Sequence, residues 1–416
     1  MKRLFILSLC FIITLNVHAQ VMEDRIYDEY IASVKIFSGT NQLSYPIYFI
    51  RTNNFVYLNF DDLNEDRNLG YRIKYCNSDW TLSDLFYTEY IDGYQEEYLD
   101  NYEFSFNTIV EYSNYEIQLP NESVNFLLTG NYVIEVFDTD SNKVLLAKRF
   151  MVAEPVLGID HKVLRASLNS KIETHQEIDF YVNLEGTDIQ NPRATLKATV
   201  IQNKRWDTAI HDIKPSFVRV NTVDFDYQNK IVFEAGKEFR YFDIRNLTNP
   251  PSHIQEVIRS YDRIDVSIEE QAMRSNTAYF ESNDINGGYV IEAANNTNDF
   301  LSGEYVDVLF IYKRPFENME ADYYVFGEFT AFNCEQSNRM VYNDMLKAYV
   351  CKLRLKQGYY NYYIVEQGDE SDRVDYEVTE GNWYETENQY TILIYYKPFG
   401  ARFDQLIGVK SLSSRP

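Results

Sequence analysis

Alternation with a period of two runs through this chain almost from end to end. Val56, Leu58 and Phe60 alternate with Tyr57 and Asn59, and Tyr132, Ile134 and Val136 with Val133, Glu135 and Phe137. The same pattern recurs at Ile178–Leu184, Val306–Tyr312, Tyr349–Leu355, Tyr359–Val365 and Tyr390–Tyr396. Successive residues of a strand face opposite ways, so each run offers one face to a core. Turn signals such as Thr129-Gly130-Asn131 and Gln357-Gly358 punctuate the runs. Short alternating strands closed by such turns predict an all-β fold of tandem Ig-like or fibronectin-like antiparallel β-sandwiches. A helical period shows at one place only. After Pro250-Pro251-Ser252, residues Ile254, Val257, Ile258 and Tyr261 fall at i, i+3, i+4 and i+7, which predicts one short helix.

Two boundaries divide the strands. A run ending Arg149-Phe150-Met151-Val152 gives way to Ala153-Glu154-Pro155, and the polar stretch from Glu292 to Asp299 precedes another set of strong strands. The expected units are 21–152, 153–295 and 296–416, each of sandwich size. Residues 1–19 read as a secretory signal peptide: Lys2 and Arg3, an apolar run from Leu4 to Leu15, then Val17-His18-Ala19 before Gln20. That run is too short to span a bilayer, so the expectation is a protein released into the periplasm after cleavage, without direct membrane insertion.

The chain carries a net charge of −24, or −26 without residues 1–19. Nucleic-acid binding needs clustered Lys and Arg and is excluded on that ground. Thirty-six Tyr and twenty-seven Phe exceed what ordinary cores absorb, so rings are expected on strand surfaces or at an interface. Past residue 19 the cysteines are Cys76, Cys334 and Cys351, an odd number with no CxxC. Cys76 is expected to stay reduced; a Cys334–Cys351 bridge and two free thiols both fit.

The chemistry motifs are missing. The sequence has no G-x-S-x-G, H-E-x-x-H, P-loop or G-x-G-x-x-G, and His161, His175, His211 and His253 lack metal-ligand spacing. Asp61-Asp62-Leu63-Asn64-Glu65-Asp66 and Glu366–Asp372 hold enough carboxylates for calcium but lack an EF-hand's ligand order, and read as solvated hairpin loops. The expectation is a protein that is not an enzyme, with no catalytic residue, metal or cofactor.

Near the end, Val325-Phe326-Gly327-Glu328-Phe329 and the expected tight hairpin Leu355-Lys356-Gln357-Gly358-Tyr359-Tyr360-Asn361-Tyr362 are similar to early-set, Ig-like modules. Such modules accompany glycan-active enzymes. Phe332 stands where their sugar-stacking members carry Trp, which favours a scaffold role.

A wider resemblance rests on ordered blocks. They are Tyr71–Trp80, Glu89–Tyr94, Asp100-Asn101-Tyr102, Ser105–Thr108, Tyr112–Tyr115 and Thr129–Tyr132 in the first unit. Gln202–Asp207 and Phe233–Arg240 follow in the middle, then Glu380–Tyr390 and Asp404–Gly408. Together they resemble the plug family of the type IX secretion system of Bacteroidota. The resemblance implies a periplasmic protein, expected as a monomer, that seals the periplasmic mouth of the outer-membrane translocon barrel when no cargo is in transit. The aromatic and acidic segment from Phe86 to Tyr115 is the expected interface, because so many rings exceed the capacity of one small core. Its residues are Trp80, Phe86, Tyr87, Tyr90, Tyr94, Tyr98, Tyr102, Tyr112 and Tyr115. The alternatives are a secreted glycan-binding or glycan-hydrolysing protein, which would need an exposed ring platform or a paired Asp/Glu cleft, and a cell-surface adhesin.

Overall fold

The computed structural model describes residues 20–64, 67–251, 253–294, 298–318, 320–368 and 374–415. The expected signal peptide lies outside these residues, as do Glu65, Asp66 and most of the acidic loop 366–372. Strands are the main regular structure of the described residues, with single helical turns at Tyr87–Tyr90, Pro192–Thr195 and Asp299–Ser302 and a 3-10 turn at Glu328–Thr330.

The N-terminal sandwich packs two sheets around one core. One sheet places Val144–Ala153, Gly130–Asp138, Leu69–Cys76 and Glu96–Tyr98 side by side; the other places Ile31–Ser38, Val56–Asp62, Ser113–Leu119 and Tyr102–Phe104 in order. Val56, Leu58 and Phe60 from one sheet meet Ile73, Tyr132 and Ile134 from the other. Period two thus decides what enters the core. Yet Gly130–Asp138 is buried on both faces, because Val133 enters a second cluster behind its sheet.

The strand pairing departs from three contiguous units. Gln389–Tyr396 and Gln405–Ser413 form one sheet with Leu196–Gln202 and Arg205–Ile213, and this packs on the sheet built around His175–Asn183. The second sandwich is therefore closed by the end of the chain. The third sandwich, from Arg240–Asp243 to Gly358–Gly368, is inserted between its halves and has its own core around Phe242, Tyr289, Tyr312 and Tyr360. Non-local pairing of this kind leaves no mark in local periodicity.

Two local expectations are also corrected. The helical window after Pro250 is an edge strand, Ile254–Arg259, antiparallel to Ile264–Ile268; Ile258 and Tyr261 lie in solvent rather than on a buried stripe. Residues 355–362 are not a hairpin. Ala348–Lys356 pairs with Tyr305–Lys313, whereas Gly358–Gly368 pairs with Ala321–Phe326 and Arg240–Asp243, so the chain crosses between layers at Gln357-Gly358. A Cβ on Gly358 would stand 2.2 Å from the carbonyl oxygen of Val290, and only glycine allows that approach.

Both faces of the N-terminal sandwich are covered. Behind one sheet, Val133, Ala147 and Met151 pack on Ile201, Leu393, Tyr395 and Leu406 of the second sandwich. Trp80 and Trp206 meet there edge to face at 4.8 Å, with the Arg149 guanidinium over both rings. Behind the other sheet, Asp61 pairs with Lys356 of the third sandwich at 2.6 Å, both side chains fully buried. Tyr305 and Asn114 also donate to Asp61. Asp61 and Asp62 are therefore structural groups, not members of a solvated loop; Asp62 takes the Arg67 guanidinium. Cys76, Cys334 and Cys351 are all free, and burial pushes each thiol up to about 12.

Candidate partner-binding face

The segment from Leu82 to Ile109 crosses the open edge of the N-terminal sandwich, and local chemistry fixes each step of it. Glu89 accepts from the Phe86 backbone N–H and anchors the turn Tyr87–Tyr90. Ile91–Gly93 then pairs with Val124–Phe126. Gly93 takes φ +128°, and a Cβ there would sit 2.0 Å from the Ser123 carbonyl oxygen. Glu96–Tyr98 forms the last strand of one sheet and Tyr102–Phe104 the last strand of the other, so the segment steps from edge to edge.

The nine expected interface residues divide cleanly. Phe86, Tyr87, Tyr94, Tyr98 and Tyr102 are 40–76% exposed along this path. Trp80, Tyr90, Tyr112 and Tyr115 are buried. Trp80 belongs to the junction with the second sandwich, and Tyr112 donates to the Gly303 carbonyl of the third. Tyr90 packs against Tyr75 and Tyr132, and Tyr115 stacks on Phe60 at 5.1 Å. Burial is what raises the hydroxyls of Tyr90 and Tyr115, each to about 12.

The exposed set is larger than expected. Phe104 and Phe106 are about three-quarters exposed, and Phe104 meets Tyr102 edge to face at 5.4 Å. Their spacing from Tyr102 by two and four residues was the available signal. A second signal is charge: between Lys74 and Lys143 the sequence has fourteen Asp and Glu and no Lys, Arg or His. Asp84, Asp92, Glu96, Asp100, Glu103 and Glu111 are exposed among the rings.

Both ends of this face are fastened to the neighbouring sandwiches. At one end Arg402 pairs with Glu89, in a loop that also carries the fully exposed Phe399. The Phe86 N–H, together with that pair, holds the Glu89 carboxyl below its usual range. At the other end the Phe106 N–H donates to the Leu301 carbonyl and the Ile109 N–H to Glu304. Rings placed this way can bury apolar area against a partner without rearranging, which lowers the entropic cost of docking. Among the described residues, no three His, Cys, Asp or Glu side chains converge as a metal site.

A rigid all-β protein of three interlocked sandwiches with one open aromatic edge is the class this geometry defines. Residues 31–154 match the family described as Type 9 secretion system plug protein 1st domain. The match supports a type IX secretion system plug protein, and with it association with the secretion machinery and a place in the cell envelope. The fold is shared with the crystal structure of a hypothetical protein from Parabacteroides merdae. The TM-score is 0.90 at 28% identity, over 95% of this chain and 100% of that one. No curated protein matches the chain.

Proposed function

We propose that this protein docks on the periplasmic opening of the type IX outer-membrane translocon barrel and closes it between cargoes. It acts there as a monomer, by steric closure and without catalysis. The observation that carries the reading is the coincidence of two features. The domain that matches the plug family is also the one whose open edge carries the exposed rings. A wide channel for folded cargo needs a stopper that does not deform, and close-packed sandwiches joined by buried contacts supply one. A mixed aromatic and acidic face suits reversible docking, since such interfaces combine apolar cores with polar rims.

The glycan-binding alternative finds no platform at Phe332, where the early-set resemblance would put the sugar-stacking ring. Phe332 is buried, with the Arg205 guanidinium 6.0 Å from its ring, so it offers no surface to a sugar. The test is affinity purification of the barrel from cells in which cargo is blocked. The protein is expected to co-purify, and its deletion is expected to make the outer membrane permeable to large antibiotics. A barrel that purifies alone, with the membrane still tight, would contradict the proposal.

A further inference from the structure

At the point where all three sandwiches meet, three lysines surround one carboxylate. Lys35 of the N-terminal sandwich is fully buried. Its Nζ donates to Glu328 Oε2 at 2.8 Å and to the Tyr289 carbonyl at 2.9 Å, over the Tyr289 ring at 4.1 Å. Lys148 comes from the other sheet of the same sandwich, and Lys204 from the turn joining Leu196–Gln202 to Arg205–Ile213. Burial pushes the Glu328 carboxyl up, but Lys35, Lys204 and Lys148 outweigh it and hold the group below its usual range. Burial brings the Lys35 ammonium down to about 8, against the pull of Glu328 and with the push of the other two lysines.

The compensation is incomplete. Lys148 is 6% exposed and has no hydrogen-bond or ion-pair partner among the described residues. Lys204 reaches only the Ser44 carbonyl, at 3.4 Å. Glu328 already serves both Lys35 and the Tyr289 N–H. Nearby carboxylates have other partners or face solvent: Asp207 pairs with Arg205, Asp24 accepts from the Arg149 N–H, Asp79 from Thr81, Glu335 pairs with Arg25, and Glu23 is exposed. Two clefts, of about 790 and 370 Å³, reach this point, and Lys148 and Glu328 line both. Three ammonium groups around one carboxylate leave a net positive charge that an anion entering the cleft would offset.

We propose that this junction is a binding site for a small inorganic oxyanion of the phosphate or sulfate class, held by Lys148 and Lys204 with Lys35 behind them. The lysines are point-charge donors, suited to such an ion. Because Lys35 and Lys148 come from the N-terminal sandwich and Lys204 from the second, the bound ion ties these two together and stabilises the assembled form by mass action.

The test is calorimetric titration and thermal unfolding of the full chain with inorganic phosphate, sulfate, and sodium chloride at matched ionic strength. Saturable binding at one site is expected, with an unfolding temperature that climbs with phosphate or sulfate but not with chloride. Lys148→Met and Lys204→Met should each weaken binding about tenfold, while Lys204→Arg keeps it. Glycerol phosphate separates the possible sources: weaker binding than phosphate supports the free ion, and tighter binding overturns that choice in favour of a phosphoryl group on a larger molecule. A phosphate response equal to that of chloride would overturn the proposal, as would wild-type affinity in both methionine variants.

Discussion

The N-terminal sandwich treats aromatic residues in two opposite ways. On its covered faces the rings meet cations: Lys356 lies 3.9 Å from the Tyr112 ring centroid, and Arg149 lies over Trp80. Along its open edge, Phe86, Tyr94, Tyr98, Tyr102, Phe104 and Phe106 stand in solvent among carboxylates. The contrast separates stability from recognition within one domain. Rings that close a junction meet a cation there, Lys356 from the third sandwich and Arg149 from the N-terminal sandwich itself. Rings on the edge leave both apolar area and negative charge unanswered, which is what a docking surface leaves for its partner.

That contrast can be broken most forcefully at the Asp61–Lys356 pair. Lys356→Met leaves Asp61 buried without its cation and should cost about 3–5 kcal/mol at pH 7, read by denaturant unfolding. A cost below about 1 kcal/mol would show that the third sandwich does not depend on the pair. Tyr112→Phe removes only the hydroxyl that reaches Gly303 and should cost about 1 kcal/mol.

Asp179 sharpens the point from the second sandwich. Burial, with Asp226 and Glu177 nearby, raises its carboxyl to about 6 from an ordinary 3.8. A folded value above the unfolded one means the folded state favours the proton. The stabilisation is complete below about pH 4 and disappears as pH rises through 6. Asp179→Asn should therefore add on the order of 1 kcal/mol at pH 8 and nothing at pH 4. Smallest of all, Phe86→Ser, Tyr94→Ser and Tyr98→Ser should each change stability by less than about 0.5 kcal/mol.

Much of this architecture was written in alternation. The runs at Val56, Tyr132 and Ile178 became strands because period two sets which residues enter the sandwich core, although Gly130–Asp138 is covered on its other face as well. The insertion of the third sandwich was not legible, since the partner of Leu196–Gln202 lies almost two hundred residues away at Gln389–Tyr396. The window at Ile254 misled for a related reason. A register shift after Ile254 puts Ile254 and Val257 together against the core of the third sandwich, a three-residue spacing that a helix would also give. Within the candidate face, the sequence located the segment but not the inward and outward rings. Tyr115 turns into the core from Ser113–Leu119, which is flanked on both sides by paired strands, and Tyr112, just before that strand, is covered by the third sandwich, whereas Tyr102 and Phe104 sit on the outermost strand.

The central claim is that the open edge, and not the covered faces, contacts the translocon. Its most direct test is barrel capture by a chain carrying Phe86→Ser, Tyr94→Ser, Tyr98→Ser and Phe104→Ser, measured beside the wild type and with unfolding monitored on the same sample. The account predicts a fully folded protein whose co-purification with the barrel falls at least about tenfold, as expected when central apolar anchors are lost. Barrel capture equal to that of the wild type, by a folded protein lacking all four rings, would contradict it.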